Sequence, residues 1–499
     1  MLKPKSLKIN SLYGVIDKAF NLVSGFILLP FVLHKIGADL YGIWIIFISV
    51  TGYFTLAQFG VSASFKKYIA EDIELREFHI MRNFICTAFY FLCLVTAVLV
   101  LCAMLFSQPV FKFLLQKESE LIPAASRWFV WFLFASILTI INEIFSSVPQ
   151  GFQRFDITSL TSIISRFVYI IVVIISMLKG YLIEGLIASV FISNICNLIL
   201  NLIICKHVFP MFSLSPVFIS LTQFKRMFSF GLKVQVTLIT SWVIYNIDKL
   251  IISKMYGSES VTIYEIGARL VLTFREFPYV LFLVLMPYFS NLNAKKDKAA
   301  LLSTCIRSTR YLTILCSLFA VVVYPLAPNI LHLWIGPDVN GLSVYILKVL
   351  LIGSTIQLVT GVSSSVLKGI GKPEIETIAN VILASLNVVL SFTFVKLFGI
   401  KGAAVGTTLS MMIGGTLLMC LTARQLKVPV LAYLNQIFTV PVLFSVILIF
   451  LVQSLCFVFK INMELNRYIS AAYAVSATVI TILFYHRIGF IDLKKLRLS

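Results

Sequence analysis

Long apolar segments follow one another along almost the whole chain, and this pattern constrains the fold more than any other feature of the sequence. Hydrophobic residues make up 59% of the 499 residues and charged residues only 12%, which is too little charge to cover the surfaces of soluble domains. A disordered chain is excluded by the same composition, because disorder needs low hydrophobicity. Since a backbone in a bilayer must satisfy its own hydrogen bonds, the sequence predicts an all-α polytopic membrane protein.

The apolar segments predict about 14 transmembrane helices, each of about 20 residues. They lie at residues 11–33, 40–62, 82–107, 122–145, 157–178, 182–205, 228–253, 260–289, 306–333, 343–367, 375–397, 402–423, 436–459 and 466–486. With the N-terminus in the cytoplasm, about 24 Lys and Arg residues fall in cytoplasmic segments and about ten on the opposite side. Because basic residues collect in cytoplasmic loops, both termini are predicted to be cytoplasmic.

Short matches in register indicate an internal repeat. GADLYGIW at 37–44 matches GSESVTIY at 257–264, and the SSV tripeptide before Gly151 matches the one before Gly369. The sequence therefore predicts two six-helix halves in parallel repeat, at 1–222 and 223–428, followed by an extra two-helix segment and cytoplasmic tail at 429–499. Parallel halves that rock about a central site are typical of transporters that work by alternating access.

Several other classes of function lack their sequence features. The nine cysteines show no C-x-x-C spacing, and no metal-binding histidine motif or glycine-rich nucleotide-binding loop occurs, so no metal and no cofactor is predicted. The net charge of +20 is attributed to cytoplasmic loops near anionic lipid, and no nucleic-acid partner is expected. Because all predicted loops are short, the sequence favours a transporter over an enzyme such as a membrane glycan polymerase or ligase.

Basic residues inside the predicted helices are the candidate ligands of a cationic cavity. A charge at the bilayer centre costs about 2.5–3.5 kcal/mol, so it pairs or lines a hydrated space. The candidate substrate-binding residues are Arg166, Arg275, Arg269, Lys249, Lys233 and Lys18. Arg166 and Arg275 lie deepest. For lysines near helix ends snorkelling is the alternative, and Arg269 could instead be neutralised by Glu265 at i,i+4.

Such a cavity would suit an anionic substrate. The arginine guanidinium matches phosphate oxygens with two parallel hydrogen bonds, which makes phosphate the favoured polar group. A carboxylate in the same cavity could take up a proton or a sodium ion and couple transport to an ion gradient. The ion-coupling candidates are Asp17, Asp248 and Glu276.

Two stretches of the chain carry a family resemblance. One is residues 28–44, LLPFVLHKIGADLYGIW, continuing to FGVS at 59–62 and KKY at 66–68. The other is NIDKLII at 246–252, leading to Gly257 and Tyr264. Both resemble bacterial polysaccharide-unit (O-antigen) flippases of the multidrug/oligosaccharidyl-lipid/polysaccharide exporter superfamily. The resemblance extends over the whole chain in span number and short loops. Gln58 stands where the family has an acidic residue, so a coupling role at that position is not carried over.

The resemblance implies a flippase that moves an undecaprenyl-pyrophosphate-linked oligosaccharide across the bacterial inner membrane by alternating access, driven by an ion gradient. It implies the lipid-linked oligosaccharide and membrane lipid as partners, a monomeric working unit, and contacts with other polysaccharide-assembly proteins. The alternatives are a lipid-linked peptidoglycan-precursor flippase and a drug or cation exporter of the same superfamily. The basic bias of the buried charges argues against the exporter.

Overall fold

The computed structural model describes residues 7–337, 339–458 and 467–487. The chain divides into two compact units. Unit 1 comprises residues up to Trp242 together with Ile252–Thr262, and unit 2 comprises Val243–Ile251 and the chain from Ile263 onward. All regular secondary structure in the described ranges is helical, and the prediction of an all-α polytopic membrane protein is confirmed.

Unit 1 is built from long apolar helices and one short amphipathic helix. They are α1 (Leu7–Thr55), α2 (Val61–Glu74), α3 (Phe78–Leu114), α4 (Ile122–Gly151), α5 (Phe155–Leu178), α6 (Ile183–Val208) and most of α7 (Leu221–Tyr256). The predicted spans 11–33 and 40–62 both lie within α1, which consists of two helical segments separated at Gly37, where the non-helical φ is 82° and ψ is 167°. The sequence analysis did not predict α2, which buries Val61, Phe65 and Ile69 along one face.

Unit 2 continues the same pattern. Its helices are α8 (Ser258–Ala294), α9 (Lys298–Ile335), α10 (Gly341–Gly369), α11 (Pro373–Phe398), α12 (Ile400–Gln425), α13 (Val430–Leu434), a π-helical turn (Asn435–Thr439), α14 (Val440–Val458) and α15 (Arg467–Arg487). Eleven helices in the described ranges are long and apolar enough to cross a membrane. Helix α1 covers two predicted spans, and α8 and α15 occupy two more.

The internal repeat is visible in the backbone at four helix junctions. At each junction a residue with positive φ in the first half has a counterpart with positive φ about 220 residues later. The pairs are Gly37 and Gly257, Arg76 and Lys296, Gln153 and Gly371, and Gly180 and Gly399. Positive φ is uncommon for residues other than glycine, so its recurrence at Arg76 and Lys296 in particular adds to the support that the short sequence matches give the parallel repeat.

Two of these junctions also share their hydrogen bonds. The amide of Arg154 donates to the carbonyl of Pro149, and the amide of Lys372 donates to that of Leu367, in the pattern that closes a helix C-terminus around a left-handed residue. The chain therefore turns in the same way after α4 and after α10. The proposed boundaries at residues 222 and 428 stay a prediction.

Close packing inside unit 1 depends on glycines and aromatic rings. A Cβ at Gly42 would meet the backbone of Ser258, and one at Gly60 would meet the backbone of Gly231. Phe47 packs edge-on against Phe111, with ring centroids 5.4 Å apart. Direct backbone approach of this kind is typical of helix packing in membranes, where small residues let helices come close.

Candidate functional site

Unit 2 contains a group of buried charged and polar residues that we call the charged cluster. Its members come from α7, α8, α11 and α12 and are Asp248, Lys249, Tyr264, Glu265, Arg269, Asn387, Ser391 and Thr407. Asp248 and Glu265 are each 2% exposed and Lys249 is 7% exposed. Ionisable groups this deep in a membrane-spanning fold are expensive unless they are paired, and they mark functional sites.

Glu265 is the centre of the charge pairing. Lys249 Nζ lies 2.8 Å from Glu265 Oε2, and Arg269 Nη1 lies 3.4 Å from Glu265 Oε1. Lys249 also donates to Asn246 Oδ1 at 3.4 Å. The lysine is therefore held inside the protein by a carboxylate from the next helix, whereas the Arg269 side chain remains 40% exposed. The predicted i,i+4 pairing of Glu265 with Arg269 is present, but the closer partner is Lys249.

The two carboxylate oxygens of Asp248 differ in their hydrogen bonding. Oδ2 accepts hydrogen bonds from the Tyr264 hydroxyl at 2.7 Å and from the Thr407 hydroxyl. Oδ1 is buried and has no hydrogen-bond partner among the described residues. Asn387 repeats this arrangement, since its Nδ2 donates to Thr407 Oγ1 at 3.0 Å while its Oδ1 is buried without a partner in the described ranges. Two buried acceptors without a donor are costly and suggest a missing proton or cation.

A small cavity of about 20 Å³ lies beside these groups, lined among others by Asp248, Lys249, Tyr264 and Thr407. This volume holds about one water molecule. Among its lining side chains, those of Asp248, Tyr264, Ser354 and Thr407 offer oxygen atoms, which are the ligands that hard cations prefer. The charged cluster can therefore take up one proton or one small hard cation, and it has no space for a larger ligand.

The other predicted residues of unit 2 lie outside the charged cluster. The guanidinium of Arg275 stacks 3.7 Å from the centre of the Tyr245 ring, and the Tyr245 hydroxyl donates to Gln357 Oε1 at 3.0 Å. Arg275 and Glu276 are both half-buried. Arg275 makes no ion pair among the described residues, and its charge is stabilised by a cation–π contact with the Tyr245 ring.

The predicted residues of unit 1 lie in different surroundings from one another. Arg166 Nε donates to Ser24 Oγ at 2.8 Å, and its guanidinium lies 4.8 Å from the Tyr169 ring. Asp17 Oδ1 accepts from Asn21 Nδ2 at 2.8 Å. Lys18 is half-buried and Lys233 is exposed. The structure thus brings Asp248, Lys249 and Arg269 into one cluster. The predicted roles of all these residues in binding or coupling stay predictions.

Unit 1 also contains a large cavity, which we call the polar cavity. It has a volume of about 460 Å³ and is lined by α4, α5 and α6, with Asp17 from α1 and Lys66 from α2. A neighbouring cavity of about 350 Å³ shares Lys66, Gln150 and Phe155 with it. The sequence analysis identified Asp17 but missed the Asn, Gln, Ser and Thr residues that form most of the wall.

Residues that the sequence analysis missed had a detectable signal. Asn387 and Ser391 are four residues apart on α11, and Asn142 and Ser146 are four residues apart on α4, so each pair shares a helix face. Polar residues at helical spacing within apolar segments indicate an inward face. The sequence analysis considered only ionisable residues there.

Comparisons with known proteins place the chain in a class and a family. A family model described as "Polysaccharide biosynthesis protein" matches residues 10–293, and the MatE model matches residues 234–393. A Shigella flexneri protein named "Putative O-antigen transporter" is 23% identical over 420 residues, covering 84% of this chain and 98% of the relative. An uncharacterized membrane protein of Methanocaldococcus jannaschii is 24% identical over 276 residues, or 54% of each chain.

Solved structures share the fold. The lipid II flippase MurJ in an inward closed conformation has a TM-score of 0.71 at 17% identity, covering 96% of this chain and 99% of MurJ. An inward-facing multidrug resistance MATE transporter of the MOP superfamily has a TM-score of 0.67 at 12% identity, covering 85% of this chain and 98% of its own.

Fold, spans and relatives together define a multi-pass helical membrane protein of the flippase and exporter class. The chain belongs to the polysaccharide biosynthesis protein family, within the multidrug/oligosaccharidyl-lipid/polysaccharide exporter superfamily. The family resemblance noted in residues 28–44 and 246–252 is confirmed.

Proposed function

We propose that this protein is a flippase for a polyprenyl-pyrophosphate-linked oligosaccharide, moving it from the cytoplasmic to the outer leaflet of a bacterial inner membrane. The observation that carries the substrate class is the family match over residues 10–293, supported by a relative named as an O-antigen transporter along 98% of its length. Both termini are cytoplasmic in this proposal, and one copy of the chain performs transport.

Ion coupling is assigned to the charged cluster of unit 2. Asp248 carries a buried oxygen without a donor beside a cavity large enough for one small ion. Uptake of a proton or a sodium ion at Oδ1 would satisfy this oxygen and change the net charge of the cluster. Such a change alters how stably α7 packs against α12, because the hydrogen bond from Thr407 to Asp248 joins these two helices. Of the three coupling candidates, Asp248 is therefore preferred over Asp17 and Glu276.

Recognition of the pyrophosphate is assigned to cations that are not already neutralised by a close carboxylate. Lys249 is held at 2.8 Å by Glu265, whereas Arg269 contacts the same residue at 3.4 Å and stays 40% exposed. The guanidinium of Arg275 stacks on the Tyr245 ring and makes no ion pair among the described residues. Arginine can bind phosphate oxygens with two parallel hydrogen bonds. Arg269 and Arg275 are therefore the preferred phosphate ligands, and Lys249 has a structural role.

The experiment is deletion of the gene in its source organism, followed by extraction of lipid-linked glycans and determination of the leaflet that holds them. Loss of the flippase should accumulate the complete lipid-linked unit on the cytoplasmic face. Wild-type protein should clear this accumulation, and the Arg269→Ala and Arg275→Ala variants should clear it more slowly. Lys295→Ala, an exposed residue at the end of α8, serves as the matched control.

Two results would overturn the proposal. Normal surface polysaccharide without accumulation in the deletion strain would contradict the transport of this substrate. Accumulation of a peptidoglycan precursor together with loss of viability would assign the alternative flippase substrate. A further result concerns the phosphate ligands: equal clearance by both arginine variants and the control would show that these residues are chosen wrongly.

A further inference from the structure

The wall of the polar cavity is a set of aligned polar helix faces. On α4 the lining residues are Thr139, Asn142, Glu143, Ser146 and Gln150. Apart from the adjacent Asn142 and Glu143, successive members are three or four residues apart, which places them on one side of the helix. Helix α6 adds Asn197 and Asn201, again four residues apart. Hydroxyl groups of such stripes can bond to their own helix, as Ser146 does, but amide and carboxylate groups that face a space in a membrane protein need water or a ligand to satisfy them.

Few of the side chains that line the cavity are purely apolar. Of its fourteen lining residues, Phe155 is the one without a polar side-chain atom. Most small-molecule pockets are instead lined mainly by apolar and aromatic side chains. Its volume of about 460 Å³ nevertheless falls within the range of about 300–1,000 Å³ that is typical of ligand pockets. A ligand of matching chemistry would have to be rich in hydrogen-bonding groups over its whole surface.

An amide network fixes part of the wall and leaves donors free. Asn201 is 1% exposed and donates through Nδ2 to Asn142 Oδ1 at 2.9 Å and also to Asn197 Oδ1. Both acceptor oxygens are thereby used, while the Nδ2 groups of Asn142 and Asn197 make no hydrogen bond within the described residues. Each amide nitrogen can donate two hydrogen bonds, so the network holds donors ready in fixed positions.

Gln150 supplies an acceptor that also lacks a partner. Its Oε1 is buried without a hydrogen-bond donor among the described residues, and Gln150 lines both this cavity and its neighbour. A buried acceptor in this state costs free energy until a donor reaches it. The cavity therefore presents unsatisfied donors and an unsatisfied acceptor together, which suits hydroxyl groups because each can donate and accept.

The charges of the wall select against the other ligand classes of this protein family. Among the described residues of the lining, Lys66 is the one cation, and Asp17 and Glu143 are two carboxylates. This balance repels a pyrophosphate. Because nearly every lining side chain carries a polar atom, a polyprenyl chain or an aromatic organic cation would leave those atoms without hydrogen bonds. Phe155 is 44% exposed and can cover the apolar C–H face of a sugar ring.

We infer that the polar cavity binds one or two neutral sugar rings of the lipid-linked glycan, separately from the groups that bind the pyrophosphate. The inference deepens the proposed function and rests on it, because it takes the transported lipid to carry an oligosaccharide. The side chains of Asn142 and Asn197 donate to sugar hydroxyls, Gln150 accepts from one, and Asp17 and Glu143 accept from others.

Saccharide binding is tested by saturation-transfer NMR on the purified full-length protein in detergent micelles. The probes are methyl glycosides of a hexose, a 6-deoxyhexose and an N-acetylhexosamine, with inorganic pyrophosphate and tetraphenylphosphonium as competitors. At least one glycoside should bind and neither competitor should displace it. Failure of all the glycosides, or displacement by either competitor, would overturn the inference.

Variants assign the binding to the cavity. Asn142→Leu and Asn197→Leu should each weaken glycoside binding about five- to tenfold, as expected for one lost hydrogen bond. Asn197→Asp keeps an acceptor oxygen for Asn201 and removes the donor, so it should weaken binding even if a leucine variant folds poorly. Asn291→Ala, an exposed amide on α8, should bind as the wild type does. Unchanged binding in all cavity variants would contradict the site.

The same variants in cells separate this inference from the proposed function. If the bound sugar belongs to the transported glycan, Asn142→Leu and Asn197→Asp should accumulate the lipid-linked unit at wild-type expression level. Glycoside binding without accumulation would mean that the cavity takes free sugar, which overturns the inference. No accumulation in the complete deletion strain, with glycoside binding intact, would instead overturn the proposed function.

Discussion

The polar cavity of unit 1 and the charged cluster of unit 2 both place polar residues inside apolar helices, yet they handle the cost of burial in opposite ways. The charged cluster closes its groups against one another, leaving about 20 Å³ beside them. The polar cavity keeps about 460 Å³ open and leaves amide donors unused. The first arrangement suits an ion and the second suits a molecule with many hydroxyls.

Charge explains the contrast. An ammonium or carboxylate buried without a partner is far more costly than a buried amide or hydroxyl, so charged groups must find partners within the protein. Lys249 and Glu265 do so at 2.8 Å. Amides and hydroxyls without a partner in the protein cost less free energy, and water or a ligand can satisfy them. A repeated fold can therefore hold an ion-sized site in one unit and a ligand-sized site in the other.

The largest expected effect comes from breaking the charge pair of unit 2. Lys249→Met leaves Glu265 buried with Arg269 as its remaining, more distant partner, and we expect a loss of about 3–5 kcal/mol in unfolding free energy. Thermal unfolding in detergent measures this loss. The double variant Lys249→Met with Glu265→Gln should recover most of it, because the unpaired carboxylate is then neutral. Lys295→Met is the control on an exposed site. A double variant as unstable as the single one would contradict the pairing.

The corresponding test in unit 1 is the ion pair between α7 and α2. Arg226 Nη1 lies 2.7 Å from Asp72 Oδ1, and the Asp72 side chain is 0% exposed. Burial raises the pKa of Asp72, while the hydrogen bond and charge of Arg226 oppose that rise. Arg226→Leu removes the hydrogen bond and the charge that oppose this rise. At neutral pH we expect a loss of about 1.5–3 kcal/mol in the free energy of unfolding.

The pH dependence of this variant follows from the direction of the shift. A carboxyl group with a raised pKa in the folded state favours folding when protonated, and this contribution is lost as pH rises through that pKa. The Asp72 pKa should be higher still in the variant. The difference in melting temperature between Arg226→Leu and wild type should therefore narrow as the pH falls from neutral. A constant difference across that range would show that Asp72 is not the group responsible.

The third test asks whether the charged cluster couples transport to an ion. Asp248→Asn keeps the shape of the side chain and removes its charge, and we expect the dependence of export on the ion gradient to fall about 10- to 100-fold. Export in vesicles with imposed proton or sodium gradients measures it. Glu374→Gln, an exposed carboxylate in the first turn of α11, is the matched control. Full coupling in Asp248→Asn would remove the cluster from the coupling mechanism.

The fold was predictable from the sequence because apolar segments of membrane length allow few structures other than helices. Asp248 and Lys249 were predictable as candidates because ionisable residues stand out within such segments. The pairing of Lys249 with Glu265 was not, since it depends on how α7 and α8 align. The polar cavity was missed for a different reason. Ser and Thr bond to their own helix so often that single residues carry no signal, as Ser146 does with Glu143. Only the spacing along α4 reveals the wall.

The smallest expected effect concerns the repeated turns themselves. Gly37 and Gly257 share nearly the same conformation, with φ of 82° and 92°. Alanine at either position should cost about 1–3 kcal/mol, because positive φ with ψ near 180° is a conformation that residues with a Cβ rarely adopt. The two sites differ in their surroundings. Nothing lies within 4 Å of a Cβ at Gly37, whereas one at Gly257 would meet the carboxylate of Glu118.

That carboxylate stabilises the start of α8, where it accepts from the Ser258 amide at 2.7 Å and from its hydroxyl at 3.1 Å. Gly257→Ala should therefore cost about 0.3–1 kcal/mol more than Gly37→Ala, the amount typical of an acid at a helix N-terminus. Thermal unfolding of both variants measures the difference. Gly14→Ala is the control, since Gly14 lies in α1 without positive φ and without atoms near a Cβ. Replacement there should be neutral or slightly stabilising. Equal losses at Gly37 and Gly257 would mean that backbone strain alone determines the effect, and that Glu118 shifts aside without loss of its hydrogen bonds.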